Sequence, residues 1–276
     1  MAKPSVTKKP KLTLAQQADI HELYEESVQA VEGEIEFLID TFKALRGREP
    51  LSFREDFCGT ASAACQWVST DKRRYAIGVD IDEDVLEWGR ANRVGRLPEA
   101  DRPRVKLLHE DVMKVAAEPV DIVVAFNFSY FLFMTRDRLR TYFQRVREAL
   151  HDDGVLFLDA FGGSESFAVQ KEKTKFDGFT YVWDQAEFEP VTNTMVCHIH
   201  FKFPDGSKIK QAFSYRWRLW TLPELRELLE EAGFRKVRVY WEGEDEEGEP
   251  SGEFYETETG EPDPAWVVYI VAEKSA

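Results

Sequence analysis

The sequence has little of what a secreted, membrane-spanning or metal-binding protein needs. Its 276 residues include three cysteines, an odd number without a C-x-x-C spacing, which argues against a disulfide framework and a structural zinc site. No apolar run approaches the ~20 residues that cross a bilayer, and residues 1–12 lack the apolar segment of a signal peptide. These absences favour a cytoplasmic protein without a membrane partner.

A basic surface is missing as well. The net charge is −15, and most of it comes from eleven acids in residues 242–264, a segment without a base that predicts an exposed acidic loop. The rest of the chain has no stripe of Lys and Arg interleaved with aromatic residues, which a nucleic-acid face needs for contacts to phosphates. We therefore expect no nucleic-acid partner.

Few glycines occur in the stretch whose pattern predicts a nucleotide-binding turn. Residues 51–61 read L-S-F-R-E-D-F-C-G-T-A, a β-prone run followed by Gly59, small residues and a helical pattern. A strand that turns sharply into a helix N-terminus presents free backbone N–H groups to a ligand. Asp80, at the end of the next apolar run, is placed to bind ribose hydroxyls. The single glycine argues against NAD or FAD, because a pyrophosphate-binding turn needs two or three.

Strand and helix patterns alternate through the middle of the chain. After the run at Leu51, apolar strand patterns occur at 75–80, 103–108, 120–126 and 155–159. Helical patterns separate them, which predicts right-handed crossovers and a parallel sheet. Two last strand patterns, 234–241 and 266–272, have no helix between them and are expected to be antiparallel. The prediction is an α/β fold with a mostly parallel sheet.

Residues 178–220 depart from this alternation. Three period-two runs at 179–188, 195–203 and 208–219 predict an antiparallel meander, with a hairpin at the P-D-G-S sequence. His198 and His200 share one face of the second run, but no third ligand of suitable spacing accompanies them, so no metal is expected.

The turn around Gly59 resembles the first motif of the class I S-adenosylmethionine-dependent methyltransferases, an acid, two residues and C-G-T-G. Glu55 takes the acid position and Cys58-Gly59-Thr60 match, whereas Phe57 and Ala61 replace glycines. The R-E-D-F-C-G-T-A form is similar to a particular bacterial and plant branch of that superfamily and gives no substrate. Members of the class have a seven-stranded, mostly parallel sheet with helices on both faces. The antiparallel pair predicted at the end of this chain fits such a sheet.

The resemblance implies a set of site residues. Those expected to contact S-adenosylmethionine, or its product S-adenosylhomocysteine, are Tyr24, Glu55, Phe57, Cys58, Gly59, Thr60, Asp80, Ile81, Asp111, Val112 and Asn127. Asp111 and Val112 would face the adenine, and Tyr24 would belong to an N-terminal lid. Residues expected to bind the acceptor are Phe128, Tyr130, Trp183 and Trp217, and the candidate bases or orienting groups are Tyr130, His198 and His200.

The sequence thus predicts five parts and one activity. The parts are a disordered basic tail (1–12), an N-terminal helical cap (13–50) broken near Gly33, a cofactor-binding core (51–177), an antiparallel β insertion over the acceptor (178–220), and a C-terminal helix and strand pair (221–276) with the acidic loop 242–264. The expected activity is N- or O-methylation of a small molecule, by a monomer or a homodimer. A protein methyltransferase, or a protein that binds the cofactor without turnover, remains an alternative.

Overall fold

A computed structural model describes residues 12–244 and 250–275, so the predicted basic tail lies outside the described residues apart from Leu12. The α-helices in this part are α1 (Leu14–Gln17), α2 (Ile20–Val28), α3 (Val31–Arg46), α4 (Ser62–Thr70), α5 (Glu83–Asn92), α6 (Arg136–Glu148) and α7 (Leu222–Glu231). None of the described helices is long and apolar enough to cross a membrane.

The described strands form two sheets. Their bounds are β1 (Ser52–Asp56), β2 (Tyr75–Asp80), β3 (Val105–His109), β4 (Val120–Ala125), β5 (Leu150–Gly162), β6 (Gln170–Phe176), β7 (Phe179–Glu189), β8 (Thr194–Lys202), β9 (Lys208–Arg218), β10 (Lys236–Glu244), β11 (Pro250–Thr257) and β12 (Trp266–Glu273). The central sheet has the order β11-β10-β12-β5-β4-β1-β2-β3, with β1 to β5 parallel and the rest antiparallel. The mostly parallel α/β fold with an antiparallel final pair is confirmed.

The central sheet has one strand more than the predicted seven. Strand β11 lies within residues 242–264, which the composition predicts to be a loop, and it pairs with β10. Phe254 of β11 packs against Tyr269, with ring centroids 4.4 Å apart. This ring contact and the pairing with β10 place the strand at the sheet edge, although acids surround Phe254 in the sequence.

The N-terminal helical break lies earlier than predicted. Gln29 and Ala30 interrupt the helix, with Gln29 in an extended conformation (φ −101°, ψ 127°). Gly33 lies inside α3 with open space around it, so the expectation of a break there is wrong. The extended Gln29 turns its side chain toward the carboxyl ends of the central strands.

The inserted antiparallel sheet has the order β6-β7-β8-β9 and begins at Gln170, before the predicted boundary. Strand β6, K-E-K-T-K between Gln170 and Phe176, is charged and largely exposed, which explains why a period-two apolar pattern does not reveal it. Leu23 of α2 is buried against this sheet in a cluster with Ile199 and Phe201. The helical cap and the insertion therefore pack against each other.

The strand order places the carboxyl ends of β1, β2 and β4 side by side. The chain builds outward from β1 to β3 and then returns to β4 on the other side of β1. The crevice at such a reversal of strand order is where open α/β sheets bind ligands.

Strand β1 buries a charged group beneath this edge. Arg54 is 2 % exposed and its Nε donates to Asp56 Oδ1 at 2.7 Å, while the Tyr142 hydroxyl donates to Asp56 Oδ2 at 2.9 Å. Burial raises the pKa of Asp56 even though the Arg54 charge opposes that shift. These two hydrogen bonds link the three side chains in the core.

We expect Asp56→Leu to lower the free energy of unfolding by about 3–5 kcal/mol, because it leaves the Arg54 guanidinium buried and unpaired. Denaturant titration followed by circular dichroism measures this. The triple variant Arg54→Met, Asp56→Leu, Tyr142→Phe removes all the polar groups together and should recover most of the loss. Equal destabilisation in both variants would contradict a role for the unpaired charge.

Candidate functional site

A cavity of about 420 Å³ opens at the carboxyl ends of β1, β2 and β4, within the ~300–1,000 Å³ typical of small-molecule sites. We call it the cofactor cavity. Its lining residues are His21, Tyr24, Gln29, Glu55, Asp56, Phe57, Cys58, Gly59, Thr60, Asp80, Asp82, Val85, Phe126, Asn127, Ser129, Leu132, Phe213, Ser214, Tyr215, Arg216 and Trp217. They come from the cap, the core and the insertion together.

The turn after β1 has the backbone of a glycine-rich loop with few glycines. Phe57 (φ 60°), Gly59 (φ 51°) and Ala61 (φ 61°) all adopt the left-handed conformation. For Phe57 and Ala61 this conformation costs free energy, on the order of 1–3 kcal/mol each. The loop is held by Asp80, whose Oδ2 accepts the Gly59 N–H at 2.8 Å.

Two buried oxygens in the cofactor cavity have no hydrogen-bond donor among the described residues. They are Oε2 of Glu55, which is 9 % exposed, and Oε1 of Gln29. Burial raises the pKa of Glu55 well above its usual range, and the charge of Glu34 adds to that shift. Burial also raises the pKa of Glu34 to about 7. Such unpaired acceptors cost free energy until a donor arrives, so this end of the cavity suits a cationic N–H donor.

The loop after β4 is strained and held by one carboxylate. Asn127 and Phe128 both have φ 56°. Their N–H groups donate to Asp159 at the end of β5, from Asn127 to Oδ2 at 2.6 Å and from Phe128 to Oδ1 at 2.9 Å. Burial raises the pKa of Asp159 to about 8, although these two hydrogen bonds oppose the shift.

A second, smaller cavity of about 100 Å³ adjoins the first. We call it the aromatic cavity. It is lined by Tyr24, Val28, Asn127, Phe128, Tyr181, Trp183, Ile199, Tyr215 and Trp217. It shares Tyr24, Asn127, Tyr215 and Trp217 with the cofactor cavity, so a group in one cavity lies next to a group in the other at the end of β4.

Helix α2 is fastened across the cofactor cavity by polar contacts. Glu25 accepts a hydrogen bond from Thr60 Oγ1 at 2.5 Å and pairs with Arg93 at the end of α5. Trp88 Nε1 donates to Asp19 Oδ2 at 2.7 Å. These contacts bring His21, Tyr24 and Gln29 into the cavity wall.

The structure brings most of the residues predicted for the cofactor to one cavity. Tyr24, Glu55, Phe57, Cys58, Gly59, Thr60, Asp80 and Asn127 line it. Ile81 is 71 % exposed and does not line it. Asp111 accepts the Met113 N–H at 2.9 Å, and Val112 is buried in the core. Their predicted contact with adenine stays a prediction.

The residues predicted for the acceptor divide into two groups. Phe128, Trp183 and Trp217 line the aromatic cavity. Tyr130 does not: it is fully buried, and its hydroxyl donates to the Asp159 carbonyl at 2.7 Å. Burial raises the pKa of Tyr130 well above its usual range. This hydroxyl is a structural donor, and its placement contradicts both the catalytic and the acceptor-binding roles predicted for it.

His198 and His200 lie on the wrong face of β8 for catalysis. Ile199 between them lines the aromatic cavity, and alternate residues of a strand point to opposite faces. His198 Nδ1 is 2.8 Å from Ser214 Oγ, and His200 Nε2 is 3.0 Å from Asp184 Oδ2. The prediction that these histidines act as bases is corrected by this geometry.

Sequence reasoning missed several residues of the site. Asp159 could have been found from the sequence, because it is an acid at the end of the apolar run that follows β4. Tyr215 could also have been found, as a member of the same alternating set as Trp217. No sequence pattern indicates Gln29, because its position depends on a helical break that the pattern places elsewhere.

Comparison with known proteins finds a match in the central part of the chain. Residues 56–158 match a family model described as a methyltransferase domain. None of the curated proteins matches the sequence.

Several solved structures share the fold over nearly the whole chain. CalS10, an amino pentose methyltransferase from Micromonospora echinaspora solved with bound S-adenosylmethionine, is 15 % identical, with 98 % of this chain and 100 % of that one covered and a TM-score of 0.66. DesVI from Streptomyces venezuelae is 20 % identical (95 % and 99 % covered, TM-score 0.65). The sugar N-methyltransferase KedS8 from Streptoalloteichus sp ATCC 53650 is 15 % identical (100 % and 99 % covered, TM-score 0.63). At such identities the likeness concerns the fold alone.

The buried carboxyls give a pH prediction. Asp159 has its pKa raised from 3.8 to about 8, so the folded state binds its proton more tightly than the unfolded state does. Its stabilising contribution is complete below pH 3.8 and is lost as the pH rises through about 8. We expect the free energy of unfolding of Asp159→Asn to fall less over this interval than that of the unsubstituted protein. Denaturant titrations at several pH values test this, and identical slopes would contradict it.

Proposed function

We propose that this chain transfers the methyl group of S-adenosylmethionine to a nitrogen or oxygen atom of a small molecule. The proposal proceeds from the fold, which is that of the class I S-adenosylmethionine-dependent methyltransferases, and from the match of residues 56–158 to a methyltransferase domain. The observation that carries the proposal is the pair of adjoining cavities, one with unpaired acceptors and one lined by aromatic rings, at the end of β4.

The residues of the cofactor cavity fit S-adenosylmethionine. Glu55 Oε2 and Gln29 Oε1, the two buried acceptors without donors, suit the ammonium group of its methionine part. Each carboxylate oxygen of Asp80 accepts one backbone N–H and keeps capacity for a further donor, which suits ribose hydroxyls. Asp111 and Val112 remain the proposed neighbours of the adenine.

The chemistry asks little of the protein beyond position. The bound cofactor supplies an electrophilic methyl group on a sulfonium sulfur. Asn127, which lines both cavities, sits at the boundary where donor and acceptor would meet. The α2 contacts to Thr60 and Arg93 hold the helix across the cofactor cavity, and orientation of the reacting groups supplies a large part of the rate.

The size of the aromatic cavity supports a small acceptor rather than a protein surface. Its volume is about 100 Å³, and it lies between α2 and the sheet β6–β9. CalS10 and KedS8 are named as methyltransferases of an amino pentose and of a sugar, which agrees with an acceptor of this kind.

The direct test is calorimetric titration with S-adenosylmethionine, S-adenosylhomocysteine and NAD in parallel. We expect the first two to bind and Asp80→Ala to weaken them by about tenfold or more, since a lost hydrogen bond to a charged group costs about 1.5–3 kcal/mol. Gly89→Ala should also weaken them, because its Cβ would lie 2.5 Å from the Thr60 carbonyl oxygen.

The matched control is Gly33→Ala, a helical glycine with nothing within 4 Å of the added Cβ, which should bind as the unsubstituted protein does. Binding of NAD alone, or of none of the three ligands, would contradict the proposal. Methyl transfer to amines and phenols is then screened with labelled cofactor.

Binding should also release protons near neutral pH. Burial raises the pKa of Glu55 well above its usual range and the pKa of Glu34 to about 7. A bound cation favours their charged forms and so lowers their pKa values. Calorimetry at pH 7 in buffers of different ionisation enthalpy should report net proton release, reduced in Glu55→Gln. Proton uptake would contradict this account.

A further inference from the structure

We propose that the methyl acceptor is an alkylamine and that the aromatic cavity binds its cationic ammonium form. This inference rests on the proposed methyl transfer and names the acceptor class of the same site. It is carried by the rings of the aromatic cavity, by the lack of a basic side chain among its described lining residues, and by its size.

The rings form a continuous wall. Tyr215 and Trp217 stack with centroids 4.6 Å apart, and Trp183 lies 6.2 Å from Tyr215 and 6.0 Å from Trp217. Phe128 stands edge-on to Trp217 at 6.2 Å. Ring faces carry partial negative charge, and each attracts a desolvated cation by about 0.5–2 kcal/mol.

The lining of the aromatic cavity, over the described residues, contains no charged side chain. None of its described lining residues is Lys, Arg or His, so no group there would pair with an anionic acceptor. The nearby bases Arg216 and His21 line the cofactor cavity instead.

Burial keeps the hydroxyl of Tyr24 in this wall neutral. It raises the pKa of that hydroxyl, although the hydrogen bond with Tyr215 opposes the shift. The wall therefore presents neutral ring faces to a ligand.

The size fits a compact head group. The aromatic cavity has a volume of about 100 Å³, well below the ~300–1,000 Å³ of sites that hold a drug-sized ligand. This size suits an ammonium nitrogen with its methyl groups.

The reaction itself also favours an amine. The ammonium first loses a proton to solvent; the nitrogen lone pair then forms a bond to the methyl carbon while the carbon–sulfur bond breaks and its electron pair goes to sulfur. Positive charge thus moves from sulfur to nitrogen, toward the rings. Groups that stabilise charge as it develops lower the barrier, whereas a phenolate or carboxylate loses its charge and gains nothing from the ring faces.

The test separates charge from shape without requiring turnover. Choline and dimethylbutanol, its uncharged carbon isostere, are titrated against the protein saturated with S-adenosylhomocysteine while tryptophan fluorescence is recorded. We expect choline to quench the fluorescence and to bind at least about tenfold more tightly than the isostere, equivalent to about 1.4 kcal/mol. Trp183→Leu should remove this preference while leaving S-adenosylhomocysteine binding unchanged. Tyr181→Leu is the second variant, in case the first does not fold.

The matched control is Trp266→Phe, which alters a tryptophan packed on Trp241 outside both cavities and should keep the choline preference. Equal binding of choline and its isostere, or binding of neither, would overturn the inference. Choline binding by a protein that does not bind S-adenosylhomocysteine would retain the cation site and overturn the proposed methyl transfer, so the two failures are distinguishable.

Discussion

The two hydrogen bonds from Asn127 and Phe128 to the Asp159 carboxylate are the constraint on which both cavities depend. Two successive residues with side chains do not hold a left-handed backbone without support, and these two bonds supply it. The parallel pairing of β4 with β5 places Asp159 beneath the loop. As a result, Asn127 reaches the boundary of the cavities and Phe128 completes the aromatic wall.

A second feature is the concentration of buried carboxyl groups around a site with few bases. Glu34, Glu55 and Asp159 all have raised pKa values because burial disfavours their charges. Such groups lower the stability of the protein at neutral pH, and a bound cation would favour their charged forms. A site that sacrifices stability to bind its ligand is a common arrangement in enzymes, and both proposed ligands, a sulfonium and an ammonium, would make use of it.

The turn after β1 has the backbone conformation of the resembled motif although two of its residues differ from that motif. Phe57 and Ala61 stand where the resembled motif has glycines, yet they take the same left-handed conformation. The Phe57 ring packs near Phe133 and Tyr142, and this packing offsets the strain that the side chain introduces. The altered motif therefore keeps the shape of the turn.

The sequence by itself determined the parallel sheet, the turn at Gly59, the acid at Asp80 and the aromatic insertion, because each follows from local periodicity or from residue spacing along one chain segment. The sequence pattern did not predict the charge-rich strands β6 and β11, because their pairing depends on neighbouring strands.

Only the tertiary structure decided which side chains meet. It turned His198 and His200 away from the cavity, buried Tyr130, and brought in Gln29 and Asp159. The direction of a side chain in a packed sheet is set by register and by the elements stacked on it, which no local pattern encodes.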